Sequence, residues 1–292
     1  MRFTARIAAV LCLVLAGCMH PASRVAHSAD ELRAMTFNIR LDTAADGKNA
    51  WPNRRDLVIA LVNREGPDVV GMQEVLLGQK TDLETALTSY EFSGVGRDDG
   101  AEKGEFSPVA WKRARFDALE AGTFWLSPTS NVPGKGWDAA YPRVASWVLL
   151  KDKRTGRTVR VLNTHFDHVG VEARARSGAM LGEWAADRVS KGERVIMLGD
   201  FNSTPDTPAM VTLADPARSG LRDTRTISLS PPYGPSGTFN AFQIDKNDPA
   251  PIDHVFVSDA FEVTGHAVVT QHWGGRLPSD HYPVVVDLAI KR

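Results

Sequence analysis

The chain has 292 residues, 43% of them apolar, with 34 Lys and Arg against 35 Asp and Glu. That balance excludes a disordered, collagen-like or coiled-coil chain and a polytopic membrane protein, and the net charge of −1 advertises no basic face for gripping nucleic acid. Two Cys are too few for a disulfide framework.

The first segment reads as an address. Arg2 and Arg6 precede an apolar run, Ile7 to Ala16, too short for a bilayer span and of signal-peptide length. The run closes on Leu15-Ala16-Gly17-Cys18, which resembles a bacterial lipobox. Residues 1–17 are therefore expected to be a lipoprotein signal peptide. Residues 18–31 would be a lipidated Cys18 followed by a polar tether. Each acyl CH₂ buried in a bilayer contributes about 0.8 kcal/mol, so a lipidated Cys18 would anchor the protein firmly. The location implied is a bacterial cell envelope, at the outer membrane and facing the periplasm or surface.

Residues 32–292 follow as one α/β pattern. Leu32 to Asn38 reads as a strand, and Asn53 to Glu65 as a helix with Leu57, Val58, Leu61 and Val62 at helical spacing. Gly66-Pro67 stops that helix. A doubly buried strand is expected over 68–74, a helix over Leu76 to Ser89, and strands over 91–95, 108–113, 115–126, 143–151 and 158–166. Gly170 to Val189 reads as a helix and Arg194 to Leu198 as a buried strand. Strands at 252–257, 262–270 and 283–290 complete the pattern. Loops at 96–107, 127–142 and 228–251 are rich in Gly, Pro and charge, and long loops on such a scaffold usually build the site.

The apolar strands repeatedly end in acids, amides or imidazoles. The runs are Thr36-Phe37-Asn38, Gly71-Met72-Gln73-Glu74, Asn163-Thr164-His165-Phe166-Asp167-His168, Asp200-Phe201-Asn202, Asp253-His254 and Ser279-Asp280-His281. One such end is an ordinary turn former; six beside apolar strands point to a ligand site outside the strand ends. Hard oxygen ligands suit Mg²⁺ or Mn²⁺, and the scarcity of Cys excludes a thiolate site.

Asn38, Gln73-Glu74, Gly199-Asp200-Phe201-Asn202 and Ser279-Asp280-His281 resemble, in order, the motifs of the endonuclease/exonuclease/phosphatase superfamily. The resemblance implies a deoxyribonuclease I-like four-layer α/β sandwich, two packed mixed β-sheets flanked by helices, with the site at one rim. It implies a divalent-metal-dependent phosphoric-ester hydrolase. Glu74, Asn38 and Asp280 are then the expected metal ligands. Asp200 orients or deprotonates the attacking water, and Asn202, two residues on, faces the same side and donates to a phosphate oxygen. Asp253 pairs with His281 and keeps the ring protonated as general acid or cationic clamp. His165 is a second donor to the transition-state oxygens. His254 is expected to pack on the opposite face of its strand, and His266 and His272 to lie at the surface.

The substrate is left open. The segments 46–54, 96–100, Gly104-Glu105, 122–127, Arg143 and 167–170 resemble a bacterial subgroup of this superfamily. Arg97, Arg143 and Arg174 could grip a second phosphate or a carboxylate, while Asp167 and His168 could shape the substrate pocket, bind a second metal or simply sit at the rim. Trp51, Trp125, Trp137 and Trp147 could stack on a sugar or base, or simply anchor loops. The leading expectation is a monomeric hydrolase of small phosphorylated molecules of the sugar phosphate, nucleotide or inositol phosphate type. The alternatives are a metal-dependent nuclease on DNA or RNA, and a surface lipoprotein that only binds a partner.

Overall fold

The computed structural model describes residues 30–246 and 248–291. The signal peptide, Cys18 and nearly all of the expected tether lie outside these residues. In chain order the elements are β1 (Glu31–Asn38), α1 (Trp51–Glu65), β2 (Val69–Gln73), α2 (Leu77–Ala86), β3 (Tyr90–Ser93), β4 (Val109–Lys112), β5 (Phe116–Trp125), β6 (Val144–Asp152), β7 (Thr158–His165), α3 (Val171–Ser190) and β8 (Val195–Asp200). Then come α4 (Pro208–Ala214), α5 (Pro216–Ser219), β9 (Leu221–Asp223), α6 (Thr224–Ile227), β10 (Asp253–Ser258), β11 (Phe261–Val268) and β12 (Val284–Ile290). Every strand and helix expected from the sequence is present, its ends within one to three residues. The expected tether gives way to β1 already at Glu31. Sequence periodicity missed α4, α5, β9 and α6, because three to seven residues are too few to display a period.

Alternation along the strands builds the layers. In β1, Leu32 and Ala34 point into a core between the two sheets, while Met35 and Phe37 join a second core against α1 and α2. In β8, Ile196 and Leu198 face the shared core, and Val195 and Met197 pack towards α3 and α4. Burial on both faces explains why these strands read as near-continuous apolar runs. Three cores separate four layers, so the α/β sandwich of two mixed sheets flanked by helices is the observed architecture.

One sheet has the order β11-β12-β1-β2-β4-β3 and the other β5-β6-β7-β8-β10-β9. Each has a parallel pair at its centre, β1 with β2 and β7 with β8, joined through α1 and α3 respectively. The antiparallel neighbours β12 and β10 run back beside them. The C-terminal ends of the parallel pairs and the N-terminal ends of β10 and β12 therefore gather at one rim. Gly71 in β2 permits the close approach of the sheets, since a Cβ there would stand 1.9 Å from Leu198 Cδ1 and 2.5 Å from Asn163. Among the described residues, no helix is long and apolar enough to cross a membrane.

Candidate active site

Each central strand swaps an apolar for a polar residue at its last inward positions. Thr36 and Asn38 continue the Leu32–Ala34 face of β1, Gln73 the Val69–Gly71 face of β2, and Asn163 and His165 the Val159–Val161 face of β7. Asp200 follows Ile196 and Leu198 in β8, and Asp253 opens the inward face of β10, directly paired with Asp200. Period two thus aims all of them at the gap between the sheets.

A polar layer lies just beneath the rim. Gln73 Nε2 donates to Asn163 Oδ1 at 2.6 Å and to Thr36 Oγ1 at 3.0 Å, while Asn163 Nδ2 donates to the carbonyls of Met72 and Pro108. These bonds tie one sheet to the other.

Above that layer Asp200 is the hub. Its Oδ2 accepts from Asn38 Nδ2 at 2.9 Å and lies 3.6 Å from His165 Nε2 and 3.8 Å from His281 Nε2. Its Oδ1 accepts from the Asn202 backbone N–H at 2.9 Å. Burial pushes its pKa up, but the His165 and His281 charges and these hydrogen bonds reverse that and keep the carboxylate ionised. His281 Nδ1 donates to Asp253 Oδ2 at 2.8 Å. Burial works against a charged imidazole here, yet the Asp253 and Asp200 charges and the Asp253 hydrogen bond hold it protonated well above its ordinary range. Phe239 covers the ring edge-on at 5.1 Å.

The turns that follow the strands carry the remaining groups. Arg40, Glu74 and Asn202 adopt left-handed backbone at φ 58°, 60° and 45°, conformations that non-glycine residues tolerate where surrounding contacts enforce them. Asn202 consequently reaches the cavity from a turn beyond β8, and not as the next inward residue of an extended strand. Its Nδ2 donates to Phe166 O and sits 3.0 Å from His165 Nε2. Arg54 in α1, fully buried, donates to the carbonyls of Ile39, Arg40, Leu41, Asn49 and Pro278. Together with Ser279 Oγ, which donates to Asn38 O at 2.7 Å, it fixes the loops after β1 and before β12 against each other. Burial lowers the Arg54 pKa to about 10, and the guanidinium remains charged at neutral pH.

Glu74, His165 and Asp200 bring donor atoms within 4.8 Å of one another, as do Asp200, Asp253 and His281. The second set already holds itself together as an acid–imidazole couple, which leaves Glu74 and its neighbours as the set that could hold a metal ion. Glu74 and Asp280 share Arg40, whose guanidinium is 3.8 Å from each. Burial and then the Glu74 charge raise the Asp280 pKa, opposed by His281 and Arg40. A buried acid held up by its neighbour is relieved by a cation, and carboxylates with an amide and no thiolate suit Mg²⁺ or Mn²⁺. Asp280, expected as a ligand, lies across Arg40 from Glu74 and belongs to neither set. Asn38, also expected as one, turns its amide nitrogen to Glu74 and Asp200, while its oxygen accepts from Arg40 N.

A cavity of 640 Å³ contains the site. Glu74, Arg97, Arg143, His165, His168, Asp200, Asn202, Asp280 and His281 line it. Asp167 does not. Its carboxylate sits behind Arg143, accepting from Arg143 Nε at 3.3 Å and from four backbone N–H groups, and those contacts overcome burial to hold its pKa far below the usual range. Arg174 also turns away, donating to Asp167 O. None of the four tryptophans lines the cavity: Trp51 and Trp125 are buried and hydrogen-bonded to Asp82 and Arg97 O, and Trp147 lies under the Arg160 guanidinium. His254 packs away from the site against Asp223, as its alternation with Asp253 indicates. His266, expected at the surface, is 6% exposed beside Thr224. Sequence reasoning assigned no role to Arg40, Glu105, Tyr141 and Phe239, which also line the cavity. They lie in loops or turns, where no period reveals them, although Glu105, Tyr141 and Phe239 fall within the three loops expected to build the site.

Residues 35–281 match the family model described as Endonuclease/Exonuclease/phosphatase family. The chain belongs to this family. The structure is similar to the mannosyl-6-phosphatase of Bacteroides thetaiotaomicron at 35% identity and TM-score 0.83, covering 89% of this chain and all of that one. The human nocturnin catalytic domain shares the fold at 20% identity and TM-score 0.70, over 90% of this chain and 94% of that one. A protein of Acanthamoeba polyphaga mimivirus, described as uncharacterized protein L388, is 26% identical over 250 residues, which is 81% of this chain and 91% of its own. The family is named for nucleases and phosphatases, and the Bacteroides neighbour is named a phosphatase.

Proposed function

We propose that the protein is a Mg²⁺- or Mn²⁺-dependent hydrolase that releases phosphate from small phosphorylated molecules, sugar phosphates foremost. The observation that carries this reading is the cavity. Its 640 Å³ lies in the range of small-molecule sites, with Asp200, Asn202 and His281 at one end and a wall of Arg97, Glu105, Tyr141 and Arg143 at the other. A small ester fills such a space; a nucleic-acid strand needs a track of cations leading out of it, which the net charge of −1 does not provide. The likeness to a mannosyl-6-phosphatase supports the same substrate class.

The chain's own groups divide the work. Ionised Asp200 orients the attacking water and takes its proton. Protonated His281, held by Asp253, donates to the departing oxygen. Asn202 and His165 steady the equatorial oxygens. Glu74, with Asp200 and Asp280 close by, would hold a divalent cation, whose positive charge would offset that of the phosphate.

The test is phosphate release and backbone cleavage side by side. The panel holds sugar phosphates, nucleotides, inositol phosphates, a generic diester, supercoiled plasmid and structured RNA, with chelator and Glu74→Ala as controls. Chelator-sensitive release from a small ester with intact plasmid and RNA is expected. Nicked plasmid or shortened RNA at comparable enzyme replaces this reading with a nuclease.

We also propose that Cys18 carries the lipid that holds the enzyme in a bacterial cell envelope. The Leu15-Ala16-Gly17-Cys18 run supports it. Fractionation of cells expressing wild type and Cys18→Ser should move the protein from membrane to soluble fraction; retention of the variant at the membrane refutes it.

A further inference from the structure

The cavity wall opposite the reacting carboxylates is a built polar site whose donors are only partly used. Arg97 and Arg143 are 6% and 4% exposed, and Arg97 Nε and Arg143 Nη1 have no hydrogen-bond partner. Arg143 Nη2 must donate to His168 Nδ1 at 3.0 Å, which places the ring proton on Nε2 as one more donor at the cavity. The acceptor on this wall is Glu105. Its Oε2 stands between the two guanidinium groups, 2.7 Å from Arg97 Nη1 and 3.9 Å from Arg143 Nη1.

The charges on this wall are already matched. Arg97 Nη1 donates to Glu105 Oε2 at 2.7 Å, and Asp98 stands 3.8 Å from Arg97 Nε. Arg143 is paired with Asp167 at 3.3 Å and lies 3.9 Å from Glu105. A second phosphate or carboxylate would meet the Glu105 charge with no uncompensated cation to receive it. A hydroxyl group fits where an anion does not, because it accepts from an arginine and donates to a carboxylate at once. Adjacent hydroxyls would use Arg97, Glu105 and Arg143 together. Tyr141, half exposed and backed by the Arg97 guanidinium at 4.9 Å, offers an aromatic surface to the C–H face of a ring. Glu105 Oε2 is 3.6 Å from His165 Nδ1, whose other nitrogen is 3.6 Å from Asp200. One imidazole therefore separates this wall from the reacting end.

We infer that Arg97, Glu105, Arg143 and Tyr141 form a charge-matched, hydroxyl-recognising subsite, which selects a singly phosphorylated, uncharged polyol ring and rejects a substrate bearing a second anion. The inference rests on the phosphatase reading above and specifies its substrate. It also replaces the expectation that Arg97 and Arg143 grip a second phosphate.

The test compares kcat/KM for three esters, each with Mg²⁺: a hexose 6-phosphate, fructose 1,6-bisphosphate and p-nitrophenyl phosphate, which has no ring hydroxyls. Wild type should prefer the hexose monophosphate over both others. In Arg97→Gln the ratio of hexose 6-phosphate to p-nitrophenyl phosphate should fall by about ten- to a hundredfold, the range for hydrogen bonds to charged groups, and in Tyr141→Ala, an exposed position that the fold tolerates, the same ratio should fall as the aromatic surface is lost. Glu105→Gln should shift relative preference towards the bisphosphate, since it removes the opposing charge. A wild type that takes the bisphosphate as well as the monophosphate, or ratios unmoved in all three variants, overturns the subsite while leaving the phosphatase. No chelator-sensitive release from any of the three esters overturns the phosphatase reading and the subsite with it.

Discussion

Replacing Asp253 by Asn removes one negative charge and leaves the shape of the site almost unchanged. Two carboxylates face the His281 ring, Asp253 at 2.8 Å from Nδ1 and Asp200 at 3.8 Å from Nε2. An opposite charge at such range favours the protonated ring by about 1–3 pKa units. Asp253→Asn deletes the nearer charge, and Asp200 remains. The imidazole pKa should therefore drop by about that amount without falling to that of an unpaired buried histidine. The sign is fixed: a general acid works while protonated, so activity is present below the His281 pKa and lost above it. The alkaline limb of log(kcat/KM) against pH should move to lower pH by about 1–3 units, with the acid side less affected. The assay is phosphate release at saturating Mg²⁺ across that range, with thermal unfolding to confirm a folded variant. An alkaline limb that stays in place removes the Asp253–His281 couple from the mechanism.

Asp200→Asn should keep the fold and lower turnover by several orders of magnitude, because the attacking water loses its partner; wild-type-like kcat removes Asp200 from the reaction. Gly71→Ala should destabilise by about 1–3 kcal/mol or more, the range for forced overpacking, since the new Cβ meets Asn163 at 2.5 Å and that side chain is pinned by three hydrogen bonds. An unmoved denaturation midpoint contradicts this reading of the sheet interface. His266 is held by burial at a pKa of about 4 against an unfolded value of 6.5. The unfolded chain therefore binds a proton that the folded chain refuses, and stability should decline as pH falls from 6.5 to 4, by about 3 kcal/mol in all. His266→Gln should flatten that decline in pH-dependent denaturation, and an equally steep slope in the variant disproves the assignment.

The sequence revealed most where one rule acts over many residues. The apolar runs of β1, β2, β7 and β8 displayed strands buried on both faces, and the helical stripe of α1 displayed its period. The polar residues at strand ends were legible for the same reason, as breaks in an apolar face. What escaped notice depends on contacts distant in sequence. Glu105 matters because a loop brings it 3.6 Å from His165, sixty residues on. Asn202 looked like an inward strand position, yet β8 ends at Asp200 and a left-handed turn delivers the amide instead. His266 lacked any local signal of burial, because its contact is Thr224 of α6, itself too short to announce itself. Asp167 had the right neighbours and the wrong direction, since its backbone partners at 140, 141, 169 and 170 turn its carboxylate away from the cavity.

The layer beneath the rim explains how one fold supports so charged a site. Four carboxylates, Glu74, Asp200, Asp253 and Asp280, face a few cationic groups between two sheets that bear apolar cores immediately below. Such a cluster would drive the sheets apart if only side-chain burial held them. Gln73 and Asn163 lie between the apolar core and the acids and join the sheets by hydrogen bonds directed across the gap. These hydrogen bonds are directional, so they fix register as well as separation. The sheets cannot slide by one residue without unpairing Asn163 from the Met72 and Pro108 carbonyls and from Gln73 at the same time. The paired Asp200 and Asp253 inherit that register directly, one residue above Gly199 and one before His254. The geometry that lets Asp200 reach Asn38, His165 and His281 is therefore set by neutral amides that take no part in the chemistry.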